Sequence, residues 1–356
     1  MRHVKALVLA GGSGTRLRPL SHAIPKQLIP VAGKPVLAHC LENIAAIGVT
    51  DVGLIVGDRG DEMRAQLGDG AALGLRITYI RQHAPLGLAH CVRLAADFLG
   101  DDDFVMYLGD NILADGIAEV AADFAANRPA AQILLVKVAN PREYGVAELD
   151  ADGRVTALAE KPAEPRSDLA LTGVYFFTPA IHEAVRAIAP SPRGELEITD
   201  AIAWLVARGL RVDASQFHGY WKDTGKIDDL LECNRVLMER RRGEVRGAVD
   251  ATSRLYGDVV VEPGARIIGS VVTGPAVIGA GTLVRDSLIG PYTALGRNCT
   301  LLGAGIEHSI VLDGVSVRRV RGIYGSLIGR EAAVCSAIDD GHRRLVIGDH
   351  ATVEVA

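Results

Sequence analysis

Residues 7 to 20 read LVLAGGSGTRLRPL. An apolar run feeding Gly11, Gly12 and Gly14 leaves backbone N–H groups unshielded where a strand gives way to a loop, an arrangement that cradles phosphate. Arg16, Arg18 and, beyond two prolines, Lys26 in PKQLIP add three cationic side chains over residues 16 to 26. That density of positive charge suits a polyphosphate better than a merely tight turn. Two common owners of such loops are excluded. A dinucleotide fingerprint needs a third glycine in GxGxxG, and Leu17 stands there. A Walker loop needs GxxxxGK followed by Ser or Thr, a run this sequence lacks.

A loop of this kind works only at the carboxyl end of a strand in a sheet wrapped by helices. Short apolar runs at Lys5–Ala10, Val52–Val56, Arg76–Ile80 and Phe104–Leu108 supply the strands. Helix-period segments at Pro35–Ile47 and Gly87–Phe98 alternate with them, and Pro35 suits a first helical position. After residue 130 the texture changes to QILLVKV, a hairpin in YGVAELDADGRVTALAEKP turning at Asp150–Gly153, and LTGVYFF. Helices follow at about 197–208 and 227–241. The expectation is an α/β fold with a doubly wound mixed sheet over residues 1–242.

From about Asp250 helix periodicity vanishes. Val261, Ile267 and Thr273 are six apart, as are Ile289, Leu295 and Leu301, with Gly-rich steps between and a similar step in LVIGDHATVEV near the end. This is the signature of hexapeptide repeats, so residues 250–356 are expected to form a left-handed parallel β-helix.

The 356 residues, 49% hydrophobic and 23% charged, are long enough for two domains. A net charge of -5 offers no basic field for nucleic acid. No stretch approaches a membrane span or a signal peptide, so a cytoplasmic enzyme is expected. Five scattered cysteines without CxxC spacing read as reduced, mostly buried thiols.

The runs LAGGSGTRLRPL and PKQLIPVAGKP resemble the signature of sugar-1-phosphate nucleotidylyltransferases, and PKQL looks most like the glucose-1-phosphate thymidylyltransferase branch. The resemblance continues through RQHAPLGLAH, LGDNIL, EYGVAE, EKP, LTGVYFF, SPRGELEITDA and WKDTG, covering most of residues 4 to 230. It implies a nucleotide-diphospho-sugar transferase fold and attack by a sugar-1-phosphate oxygen on the α-phosphorus of dTTP, releasing pyrophosphate. Such a displacement asks for alignment and charge neutralisation more than covalent help.

By the family's pattern Asp110 and Asp223 hold Mg²⁺, a hard cation content with few protein ligands. Taken alone, Asp110 also fits a Gly-Asp turn, and Asp223 a cap for the helix near Lys226. The resemblance places Arg16 and Lys26 on the triphosphate. Leu9, Gly11, Gly12, Gly14, Thr15, Gln27, Gln82 and Gly87 complete the nucleotide side, Gln82 and Gly87 at the base. Lys161 and Arg193 hold the sugar phosphate; Tyr144, Gly145, Glu160 and Tyr175 line the hexose. The plainer readings are a helix start for Gly87, a hairpin-end charge pair for Glu160 and Lys161, and a core aromatic for Tyr175.

One ring methyl discriminates by about 10–200-fold, so residues alone support a pyrimidine and only the resemblance prefers dTTP to UTP. Glucose 1-phosphate is the sugar the resemblance implies. The C-terminal repeat departs from short thymidylyltransferases and looks like the long form of actinobacterial antibiotic-sugar pathways; its exposed faces suit a homo-oligomer. Hexapeptide solenoids also host acyltransferases, for which His308, His342 and His350 are the available bases. Three hypotheses follow: a thymidylyltransferase, a bifunctional enzyme with added acyl transfer, and a non-catalytic scaffold. Retention of Arg16, Lys26, Asp110, Lys161 and Asp223 together weighs against the scaffold.

Overall fold

The computed structural model describes residues 3–12, 14–18 and 20–336. His342, His350 and the LVIGDHATVEV run lie outside the described residues. Two compact units result, one of Met1–Ser13 with Leu37–Asp223, the other of Gly14–Val36 with Thr224–Ala356.

The first unit is built on a nine-stranded sheet. Its strands are β1 (Val4–Leu9), β2 (Asp51–Val56), β3 (Arg76–Arg81), β4 (Asp103–Leu108), β5 (Ala131–Lys137), β6 (Gly145–Leu149), β7 (Val155–Glu160), β8 (Leu169–Phe177) and β9 (Val212–Gln216). β3, β2, β1 and β4 run parallel, in that order. Ala6, Leu7 and Val8 are fully buried, as a central strand covered on both faces requires.

β8 reverses direction and makes the sheet mixed. Its Val174–Phe177 half pairs with β4, while Ala170 pairs with Val146 of the β6–β7 hairpin. The register shifts between Leu171 and Tyr175, where Gly173 has positive φ. The strand thereby serves two neighbours along one edge. The hairpin closes as expected, with the Asp150 carboxylate accepting from the N–H groups of Asp152 and Arg154.

Two boundaries differ from the sequence reading. Pro35 belongs to a two-residue strand paired with Pro30–Val31 through a turn at Ala32 and Gly33, both with positive φ; the helix begins at Val36. The helix expected over Gly87–Phe98 divides at Ala95 into Leu88–Leu94 and Ala96–Leu99.

In the second unit three parallel sheets stack the strands of successive coils, the expected β-helix. Val261 pairs with Ile278 and Ile278 with Leu295; Val272 pairs with Ile289 and Ile289 with Ile306. The hydrogen bonds that repeat from coil to coil span 17 residues. A coil therefore has one side shorter than a strict six-residue repeat allows. This corrects the expectation at Thr273: Val272 is the fully buried residue, and Thr273 beside it is half-buried.

The helix Ile227–Glu239 and the turn at Ala32 are packed into the same unit. Met238 and Ala32 share a buried cluster with Val260, Val277 and Ala294 of the β-helix. Asn234, buried on that helix, accepts from the Ala32 N–H at 2.8 Å and donates to the Tyr292 carbonyl at 2.8 Å. Four cysteines are buried and Cys335 is exposed; all five are free thiols. No described helix is long and apolar enough to cross a membrane.

Candidate active site

The first unit carries Gly11 and Gly12, the two aspartates and the EKP and SPRGELE residues. Leu9 ends β1, and its carbonyl accepts from the Gly109 N–H, which ties the glycine loop to the turn that carries Asp110. Gln82 leaves β3 beside Gly11, where an added Cβ would lie 3.4 Å from the Gln82 Oε1. Its Nε2 donates to the Gly87 carbonyl at 3.4 Å and faces His90 Nδ1 at 3.1 Å. Burial, then Arg93, pulls the His90 pKa down, which favours the neutral ring that accepts this bond. The amide is thus oriented with its oxygen toward the loop.

Gly87 is the helix start its plainer reading gives, at the N-cap of Leu88–Leu94 with φ near +100°. A side chain there would collide with the Leu196 backbone, whose carbonyl accepts from the Ala89 N–H. This contact carries the site across to Glu197.

Asp110 lies in the turn after β4, and Asn111 Nδ2 donates to its Oδ1 at 3.1 Å. Asn111–Leu113 pairs antiparallel with Trp221–Asp223, and the register sets Asp223 opposite Asn111. Two carboxylates far apart in sequence are therefore delivered to one end of a short ribbon. The plainer reading of Asp223 as a helix cap fails, because Lys226 is the N-cap and its N–H is held by Asp229. Asn111 Oδ1 is buried without a hydrogen-bond partner among the described residues. Two carboxylates and a carbonyl oxygen make a hard oxygen donor set of the kind a small divalent cation takes alongside substrate oxygens. No group of three or more His, Cys, Asp or Glu placed for a metal occurs among the described residues.

Next to this ribbon, Trp221 meets Tyr144 edge-on at 5.4 Å and donates to the Thr172 carbonyl. Gly145 and Glu160 are register partners in the hairpin, and an added Cβ on Gly145 would sit 2.9 Å from Glu160 Oε2. Glu160 Oε1 is 3.5 Å from Arg193 and 4.0 Å from Lys161, and Thr199 Oγ1 donates to Oε2 at 3.4 Å. Burial, helped by the neighbouring charge of Glu197, raises the Glu160 pKa above its usual value, against the pull of Lys161, Arg193 and Thr199. Lys161 holds φ at +43°, a left-handed conformation costing a non-glycine residue about 1–2 kcal/mol. Such strain concentrates where a side chain must be aimed.

Tyr175 is only 3% exposed and stacks on Phe177 at 5.9 Å. Its ring is core; burial and then Glu160 push its hydroxyl pKa up. Sequence reasoning missed Glu197, which is 4% exposed and accepts from Ser191 Oγ at 2.9 Å and from Arg193 at 3.3 Å. With Glu195 and Glu160 it surrounds the Arg193 guanidinium by three carboxylates. The signal was present in SPRGELEITDA, where Glu197 and Thr199 read simply as the opening of a helix.

In the second unit Gly14 starts a short helical turn over Thr15–Leu17 in a left-handed conformation and packs against the stem of Lys26. The Arg16 guanidinium lies over Gly225, where a Cβ would come within 3.1 Å of Nη2. Gln27 is 1% exposed, and its Oε1 has no hydrogen-bond partner among the described residues.

A family model described as nucleotidyl transferase matches residues 5–240. The chain belongs to the nucleotidyl transferase family. Over 354 residues it is 53% identical to a glucose-1-phosphate thymidylyltransferase of Streptomyces griseus, covering 99% of this chain and 100% of that protein. A glucose-1-phosphate thymidylyltransferase of Streptomyces antibioticus is 55% identical over 354 residues, 99% of each chain. A crystal structure from Bacillus anthracis, of a protein assigned as a glucose-1-phosphate thymidylyltransferase and bound to sucrose, superposes with a TM-score of 0.63 at 33% identity. That match covers 68% of this chain and 98% of the other.

Proposed function

We propose that this nucleotidyltransferase transfers a thymidylyl group from dTTP to glucose 1-phosphate, releasing pyrophosphate. The observation that carries the reading is the meeting, through Tyr144 and Trp221, of a two-aspartate ribbon with a pocket holding Glu160, Lys161 and Arg193. A site with hard carboxylates beside a pocket that presents Lys161 and Arg193 suits phosphoryl chemistry between two anionic reactants.

Arg193 and Lys161 hold the phosphate of the sugar, while Glu160 and the Tyr144–Gly145 backbone meet its hydroxyls. Arg16 and Lys26 neutralise the triphosphate, with Gly11, Gly12, Gly14 and Thr15 supplying backbone N–H groups. Gln82 turns an acceptor oxygen toward the loop, which fits the N3–H of thymine or uracil and disfavours cytosine, which offers an acceptor there. Mg²⁺ held by Asp110 and Asp223 would supply charge neutralisation on the triphosphate. Preference for dTTP over UTP, and for glucose over other sugars, rests on the Streptomyces relatives alone. An assembly of several copies in solution belongs to the same reading.

The test is a substrate matrix of four nucleoside triphosphates against several sugar 1-phosphates with Mg²⁺, read as pyrophosphate release. The expected maximum is dTTP with glucose 1-phosphate. A maximum with UTP moves the base assignment, and no release from either pyrimidine triphosphate overturns the reading.

A further inference from the structure

Within the β-helix unit, the helix Ile227–Glu239 and the turns of three successive coils enclose a groove of about 550 Å³. That volume lies in the range of small-ligand pockets. The helix contributes Asp228, Glu232 and Arg235, and the coils contribute Glu307 and a run of rings, Tyr292, His308 and Tyr324. Tyr292 meets His308 edge-on at 6.2 Å, and His308 meets Tyr324 at 5.5 Å.

The rings are not explained by the fold. Along the other edges of the β-helix the left-handed turn position is held by glycine or by a polar residue, Asp286, Asn298, Arg319 or Glu331, and by no ring. Tyr292 and His308 adopt the same conformation, with φ of +59° and +47°, at a cost of about 1–2 kcal/mol each. Neither is buried in return, and Tyr324 is 67% exposed. Placement of aromatic faces in the groove is what these positions achieve.

The charge around the rings selects the ligand. Asp228 and Glu307 form no ion pair among the described residues, and Arg235 is engaged by Glu239 at 2.8 Å. The excess of carboxylates favours a cation over a phosphate, a nucleotide or coenzyme A. The carboxylates do not converge as a metal site. A cation carried on an organic body, resting on ring faces with its charge among carboxylates, meets both features at once.

We propose that this groove is a second ligand site, sharing no residue with the transfer site, for a small organic ammonium compound, either an aminated sugar or an alkylamine. The experiment is calorimetric titration of the full-length protein with glucosamine and with butylamine, using N-acetylglucosamine and glucose as uncharged counterparts. Saturable binding of an amine is expected, at least about tenfold tighter than N-acetylglucosamine. Tyr324→Ala and Glu307→Gln should each weaken it by about tenfold, with pyrophosphate release unchanged as proof of folding. Tighter glucosamine identifies the sugar source, and tighter butylamine the alkyl source. Equal binding of charged and uncharged sugars, no saturable heat from either amine, or binding indifferent to both substitutions overturns the proposal. So does a change in sedimentation of Tyr324→Ala without any amine effect, which assigns the rings to contact between copies.

Discussion

In the β-helix, serines enter the interior as a ladder. The Ser270 N–H donates to Ser253 Oγ, the Ser287 N–H to Ser270 Oγ, and the Ala304 N–H to Ser287 Oγ, while Ser270 and Ser287 each donate to a carbonyl two residues back. In the mixed-sheet unit the polar groups of the candidate site obey no period. Glu160, Arg193, Glu197 and Thr199 come from a hairpin, a loop and a helix, and carboxylates outnumber the cations between them. A repeated, fully bonded interior lowers free energy and does little else. An aperiodic cluster of partly neutralised charge leaves interactions for a substrate to complete.

Substitutions that separate charge for chemistry from polarity for stability sharpen this contrast. Asp110→Asn should have the largest effect, lowering the rate of pyrophosphate release by about a thousandfold with folding intact. Retention of full rate with Mg²⁺ present would show that the carboxylate has no metal role. Glu197→Gln should raise the KM for the sugar phosphate by about tenfold with a smaller change in kcat, because Arg193 loses its buried anchor. Glu197 also raises the Glu160 pKa, so the acid limb of the pH profile should move to lower pH in this variant. A fall in thermal stability with an unmoved profile and KM would make Glu197 merely structural.

Ser287→Ala should cost about 1–2 kcal/mol in chemical denaturation by leaving the Ala304 N–H without its partner, while turnover stays at the wild-type level. A loss of activity at unchanged stability would break the contrast. The smallest effect is expected at Asp250. Hydroxyls of Ser253 and Thr252 hold its pKa down at about 2. A depressed carboxyl pKa contributes stability above the ordinary carboxylate range that is lost as pH falls through the folded value. Melting curves of Asp250→Asn and the parent should therefore differ at neutral pH and converge as pH falls toward 2.

The contrast also separates what was legible in the sequence from what was not. Strands β1, β2 and β4 and the glycine loop stood out because central strands are continuous apolar runs punctuated by glycine, while β3, at the sheet edge, showed as the alternation RITYIR. Gly87 as a helix start and the free cysteines were equally readable from local pattern. Glu197 was hidden, because its burial depends on Ser191 and Arg193 in a loop that local periodicity cannot place. Thr273 was misread for a different reason. A strict period of six carries the inward position one residue too far on the short side of a 17-residue coil, whose closure is a property of stacked pairing.

Asn234 spends both ends of one amide on segments distant in sequence, the turn at Ala32 and the coil at Tyr292. The turn follows PKQLIP by a few residues. Trimming the repeats back past Tyr292 would therefore do more than shorten a tail. It would strand a buried donor near the PKQLIP segment and uncover Val277, the register partner of Ala294. The last fifth of this chain is thus bound to a turn within its first tenth.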